Sequence, residues 1–178
     1  YSIWIISILN MISLYFLANW LPTLAKESGL SLNQALMIGS TLQLGGTIGS
    51  VVMGLKIDKT GFYKVLIPVF LVAVMSVALI GYAVSHIVLL FIIIFIAGFA
   101  IVGGQPAINA LSASYYPVSL RTTGVGWSIG IARLGSVIGP LFGGYLSQFL
   151  VITHLFVIAA IPSLLVIIML MIQAKYRS

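Results

Sequence analysis

The chain has no cysteine and only two acidic residues, Glu27 and Asp58, in 178 positions. Without cysteine, neither a disulfide framework nor a thiolate ligand or nucleophile is available. With two carboxylates and two histidines, His86 and His154, no metal-ligand cluster and no nucleophile–base pair appears in the sequence. Metal sites, cofactors and enzymatic chemistry are therefore not expected. Charged residues make up 6% of the chain and hydrophobic residues 61%, with a mean hydropathy of +1.24. A water-soluble domain of this size would have too little polar surface, so an integral membrane protein is the class that fits. The net charge of +6 does not point to nucleic acid, because the basic residues stand singly between apolar runs. The chain starts at Tyr1 and is apolar from its first residues, with no basic n-region and no small-residue cleavage site. A longer protein, with further segments on the N-terminal side, is expected.

Apolar segments of membrane-spanning length fall at 2–24, 32–55, 65–84, 87–110, 123–148 and 154–174, each near the roughly 20 residues a crossing needs. Six crossings place both termini on one side. Lys56, Lys59, Lys64, Arg121, Lys175 and Arg177 then share that side, and only Lys26, next to Glu27, faces the other way. The excess of cytoplasmic Lys and Arg in membrane proteins makes the termini cytoplasmic. His86 and His154 fall at the opposite surface, where interfacial anchoring is their expected role.

The first span carries Ser7, Asn10 and Ser13 at helical spacing, with Tyr15 and Asn19 on another face. The second has Gln43, Gly46, Thr47 and Ser50 along one stripe, and the fourth brings Gln105, Asn109 and Ser112 onto one face. The third and sixth are almost purely aliphatic, each with a proline near its start, Pro68 and Pro162. Two polar-bearing spans followed by a plain one, twice over, predict an all-α membrane protein built as a three-plus-three repeat. An odd number of crossings per unit inverts one unit relative to the other, as in many secondary transporters. The plain spans are expected to face lipid while the others line a cavity.

Arg133 lies eleven residues past Thr122, about 16 Å into a hydrocarbon core of roughly 30 Å. A central arginine costs at least about 2.5–3.5 kcal/mol on insertion scales. Neither carboxylate falls inside a span, so no acid of this chain is placed to pair with it. A guanidinium facing a wet cavity suits a carboxylate, which its planar fork binds bidentately. A structural partner elsewhere in the protein is the competing reading. Gln105 and Asn109, and with them Asn10 and Gln43, are candidates to hydrogen-bond a substrate or to bond a neighbouring helix. Trp127 is a candidate to pack on an aromatic ring or to anchor at the membrane interface.

Glycines at four-residue spacing, Gly126/Gly130, Gly135/Gly139/Gly143 and Gly45/Gly49, predict close helix contacts. Pro140 frees a backbone carbonyl and permits a bend. Between the second and third spans, "GLKIDKTGFYK" sets Gly54, Asp58, Gly61 and Lys64 at a tight turn. Asp58 is expected near a helix N-terminus, where the dipole favours it and where it can pair across a moving interface as a latch.

The spacing G-x-x-x-D-K-x-G-x-x-K over Gly54–Lys64 resembles the signature loop of the major facilitator superfamily. Gly139-Pro140-Leu141-Phe142-Gly143-Gly144 resembles its G-P-x-x-G-G element. The whole chain is similar to helices seven to twelve of such a transporter. More narrowly, "NWLPTLAKESGLSLNQA", "YYPVSLRTTGVGW" and "GIARLGSVIGPLFGG" resemble the aromatic acid:proton symporter branch. That resemblance implies a bacterial inner-membrane importer of benzoate-like acids or muconate, coupled to protons, with functional arginines at Arg121 and Arg133. The branch's acidic motif belongs to the first helix, outside this chain. The partners implied are an aromatic carboxylate, protons, the bilayer and an N-terminal six-helix half; without that half, self-association in detergent is expected. The rivals are a superfamily branch carrying sugar acids or other organic anions, and a six-span channel or scaffold complete in itself.

Overall fold

In a computed structural model of the chain, residues 1–27 and 29–177 are described. Ser28, Ser178 and the side chains of Leu24, Glu27 and Arg177 lie outside the described residues, and with them the side-chain expectations for Glu27 and Arg177. The helices are α1 (Ser2–Glu27), α2 (Leu32–Thr60), α3 (Phe62–Ala83), α4 (Ile87–Ala97), α5 (Gly103–Tyr115), α6 (Arg121–Leu146), α7 (Ile152–Ala159) and α8 (Ile161–Arg177). A π-helical turn, Gly98–Val102, joins α4 to α5 without a break in direction, and a short 3-10 turn, Val118–Leu120, leads into α6. No strand is present among the described residues. Six of the resulting rods are long and apolar enough to cross a bilayer.

Local chemistry sets several of the ends. Ser31 caps α2 by accepting from the Gln34 N–H while the Gln34 side chain accepts from the Ser31 N–H, the reciprocal pair of a capping box. Gly61 separates α2 from α3 with φ 88° and ψ 164°, a conformation nearly confined to glycine. Pro162 has no N–H for the Ile158 carbonyl, and the last rod has its hitch at Ala160, between α7 and α8.

The helices outrun several of the expected spans, because a tract's apolar length marks the hydrocarbon and not where the helix stops. α2 continues to Thr60 and α5 to Tyr115. Gly54, Lys56 and Asp58 are therefore helical; the expected loop shrinks to Gly61, with Lys64 already in the first turn of α3. Asp58 lies in the last turn of α2, not at an N-terminus as expected, and is exposed.

α1 occupies the middle of the bundle, packed on α2, α5, α6 and α8, while α3 packs on α4, α7 and α8. The plain third and sixth spans thus sit together at one side and present outward rows such as Leu71, Met75 and Leu79, and Leu164, Ile168 and Met171. α2 and α6 do not touch; α1 and α5 stand between them and contact both.

Glycine governs two of the close approaches. Gly45 and Gly49 of α2 face the Phe95 and Phe99 carbonyls, and Gly98 faces the Leu42 carbonyl in return, so α2 lies backbone to backbone on α4 and the π turn. Gly135, Gly139 and Gly143 of α6 meet the Ile8 carbonyl, the Ile12 carbonyl and the Trp20 ring of α1. Pro140 stays within α6, and its carbonyl accepts from Trp20 Nε1 at 3.4 Å. Gly126 and Gly130, expected to pack in the same way, instead have open space where a Cβ would stand, as does Gly54. They fall on the side of their helices turned away from the bundle.

Candidate functional site

Arg133 follows the first residue of α6 by twelve positions, about 18 Å along a rod of about 39 Å. It is turned some 130° from the buried row Gly124, Ser128, Ala132, Gly135, Gly139 and Gly143, and its side chain is exposed. Nη1 donates to Tyr15 Oη of α1 at 3.5 Å, its one partner among the described residues. One long bond to a neutral phenol leaves four N–H donors and the whole positive charge unmatched. Asp58 cannot supply the counter-charge within this bundle, because it sits at the end of α2, which α6 never meets.

A second polar group lies between α1 and α5. Asn10 is fully buried; its Nδ2 donates to Gln105 Oε1 at 2.6 Å and to the Ile101 carbonyl at 3.3 Å. Gln105 Nε2 in turn donates to Asn109 Oδ1 at 3.2 Å. Asn10 thus bonds a carbonyl of the π turn itself from the neighbouring helix. Among the described residues its Oδ1 is left buried without a partner, and Asn109, half-buried at the end of the ladder, has no partner there for its Nδ2. Ser7 and Ser13 flank Asn10 and bond Ser128 of α6 and Ser163 of α8, each at 3.2 Å. The polar row of the first span is thus spent on joining α1 to three other helices.

The remaining candidates stand apart. Gln43 is exposed on α2, across the α1–α5 wall from Arg133. Thr47 and Ser50 turn their hydroxyls back onto the carbonyls of Gln43 and Thr47. Trp127 is 62% exposed and lies about 120° around α6 from Arg133, over an open hollow with Gly126, Gly130 and Leu134. The two do not share a face. Arg121 is exposed at the first residue of α6.

Three features escaped the sequence reading. Tyr15 appeared there only as a face-mate of Asn19, not as the partner of Arg133. The π turn was missed, although Gly98, Gly103, Gly104 and Pro106 inside one apolar span were its signal. The third is a tyrosine belt at the basic end: Trp4 Nε1 donates to Tyr116 Oη at 3.1 Å, and the hydroxyls of Tyr63 and Tyr115 are 3.0 Å apart. The doublet Tyr115–Tyr116 before Pro117 was its signal.

Comparison with known proteins bears on this arrangement directly. The model of the Major Facilitator Superfamily matches residues 3–177. A 4-hydroxybenzoate transporter of Pseudomonas aeruginosa is 35% identical over 81% of this chain and 32% of its own length. A gallate transporter of Pseudomonas putida is 32% identical over 91% of the chain and 36% of its own length. A benzoate transport protein of Acinetobacter baylyi is 34% identical over 93% and 35%. The chain spans about a third of the length of these relatives, which are transporters and not enzymes. With an all-helical bundle of six membrane-length rods and a family match along nearly its whole length, the chain belongs to the major facilitator superfamily.

Proposed function

We propose that the chain forms the C-terminal six-helix half of a proton-coupled importer of small aromatic carboxylates that works by alternating access. The observation that carries this reading is the mid-span guanidinium of Arg133, exposed and held by a single 3.5 Å bond to Tyr15. A carboxylate docked there would take the unmatched donors as a bidentate pair, and the Tyr15 hydroxyl would be free to donate to it. Asn109 Nδ2 is the amide donor of the ladder left to orient a ring substituent, with Asn10 and Gln105 holding it from behind. The names of the relatives, transporters of 4-hydroxybenzoate, gallate and benzoate, support the substrate class.

An N-terminal half closes the other side of the cavity and brings the acid through which protons enter. It covers the outward apolar residues of α2 and α6, among them Leu44, Ile48, Leu134 and Val137. The end bearing Lys56, Lys59, Lys64 and Arg121 faces the cytoplasm across a bacterial inner membrane. There the exposed Asp58 engages the other half in one of the two states. The test is uptake of labelled 4-hydroxybenzoate by cells carrying the complete transporter. Arg133→Ala abolishes uptake at an unchanged surface level, and Arg133→Lys restores only part of it, because an ammonium cannot form the fork. Competition by unlabelled benzoate but not by aliphatic acids fixes the class. Unaltered uptake in Arg133→Ala overturns the assignment.

A further inference from the structure

A groove of about 500 Å³ runs between α2, α3 and the π turn. Three lysines stand at its mouth, Lys56 and Lys59 from α2 and Lys64 from α3, all exposed. Its interior is apolar and includes Pro68, Val69, Val72 and Phe99. From Lys64 to Val72 it follows α3 for about 12 Å toward the bundle's mid-height.

The groove owes its shape to features already described. Gly49 draws α2 onto the Phe99 carbonyl, so the two backbones meet and the half-buried Phe99 ring is left lining the groove. α2 keeps its helix to Thr60, which carries Lys56 and Lys59 beyond the apolar tract on one face, one turn apart. Asp58 points about 200° away from Lys56 on the same helix, and the chain's other acid, Glu27, belongs to the opposite end of the bundle. Among the described residues the mouth is therefore cationic, with no side-chain carboxylate to neutralise it.

We propose that this groove binds an anionic glycerophospholipid, with its phosphate among Lys56, Lys59 and Lys64 and one acyl chain along the apolar interior. Charge and shape select this occupant together. A free anion would use the three lysines and leave the interior empty, and an acidic peptide would have to lay a polar backbone against Val69, Val72 and Phe99. A lipid satisfies both ends, and basic pockets at the cytoplasmic ends of transmembrane helices recognise anionic headgroups on the same principle. The proposal does not depend on which acid is carried.

The test uses the complete transporter in detergent, equilibrated with equimolar dioleoylphosphatidylglycerol and dioleoylphosphatidylcholine, with bound lipid counted by native mass spectrometry. The protein retains the phosphatidylglycerol about tenfold over the phosphatidylcholine. Lys56→Gln/Lys59→Gln/Lys64→Gln removes that preference. Val72→Trp, which fills the groove and leaves the charges in place, lowers retention of the diacyl lipid, and it carries the test should the triple variant not fold. Equal retention of the two lipids by the unaltered protein overturns the proposal, as does a preference unchanged in the triple variant or a retention of the diacyl lipid unchanged in Val72→Trp. Displacement of the lipid by glycerol phosphate at equal concentration overturns it too, since the apolar interior would then contribute nothing.

Discussion

The Asn10–Gln105 bond gives the most direct handle on what the polar residues of the span interiors do. Asn10→Ala deletes donations of 2.6 Å and 3.3 Å and leaves two acceptors, Gln105 Oε1 and the Ile101 carbonyl, without that donor. Interhelical hydrogen bonds in membranes average about 0.6 kcal/mol and reach about 1.7, because the unfolded chain in lipid also finds partners. Two of them, one short and one long, place the cost of Asn10→Ala at about 1–3 kcal/mol. Gln105→Ala removes the shared bond from the other side. In a double-mutant cycle the pair should then show a coupling energy of about 0.6–1.7 kcal/mol. The assay is reversible unfolding in mixed micelles, followed by tryptophan fluorescence, since Trp4 and Trp20 sit on the same helix as Asn10. Uptake kinetics are measured beside it. A residue spent on helix joining lowers stability and leaves KM within about threefold of the parent. A coupling energy below about 0.3 kcal/mol, or a KM raised tenfold at unchanged stability, refutes this account, and the second result makes Asn10 a candidate to touch substrate again.

Two further outcomes follow from the glycines. Gly61→Ala forces a side chain into φ 88° and should cost about 1–3 kcal/mol, whereas Gly54→Ala, in a helix interior with nothing within 4 Å, should gain about 0.5–1 kcal/mol; equal melting temperatures for the two would contradict the one-residue turn. At Gly139 a Cβ would stand 2.6 Å from the Ile12 carbonyl, so Gly139→Leu should lower stability by about 1–3 kcal/mol through overpacking. Gly130→Ala, which meets no neighbour, should leave thermal unfolding unchanged or slightly raised, and a matching loss at both sites would show that α6 packs otherwise.

Hydropathy reads the number of spans and their order well because the bilayer imposes one length on every crossing. It reads their ends poorly. Lys56, Asp58 and Lys59 are polar enough to end an apolar window but are good or tolerable helix residues, and α2 runs through them to the one position, Gly61, that leaves helical geometry. Glycine spacing separates in the same way. Gly135 and Gly126 carry the same i, i+4 pattern, yet one meets α1 and the other open space, since spacing defines a face and not what lies opposite it. The position of Arg133 was legible from chain length alone. Its bond to Tyr15 was not, because it depends on how α6 crosses α1. The π turn lay hidden inside a continuous apolar run, where a one-residue change of register leaves hydropathy untouched.

Between α2 and the π turn, carbonyls rest against glycines with no side chain interposed. Side chains accommodate motion by changing rotamer; a backbone has no such recourse. Advancing one helix by a single residue would drive Leu44 and Ile48 toward the Phe95 and Phe99 carbonyls in one direction, and Ser50 toward the Phe99 carbonyl in the other, so neither adjacent register offers glycine at both positions. This seam is in effect a weld. Any motion of the bundle has to carry α2 and the middle of the fourth span along as one rigid piece, and to find its give elsewhere.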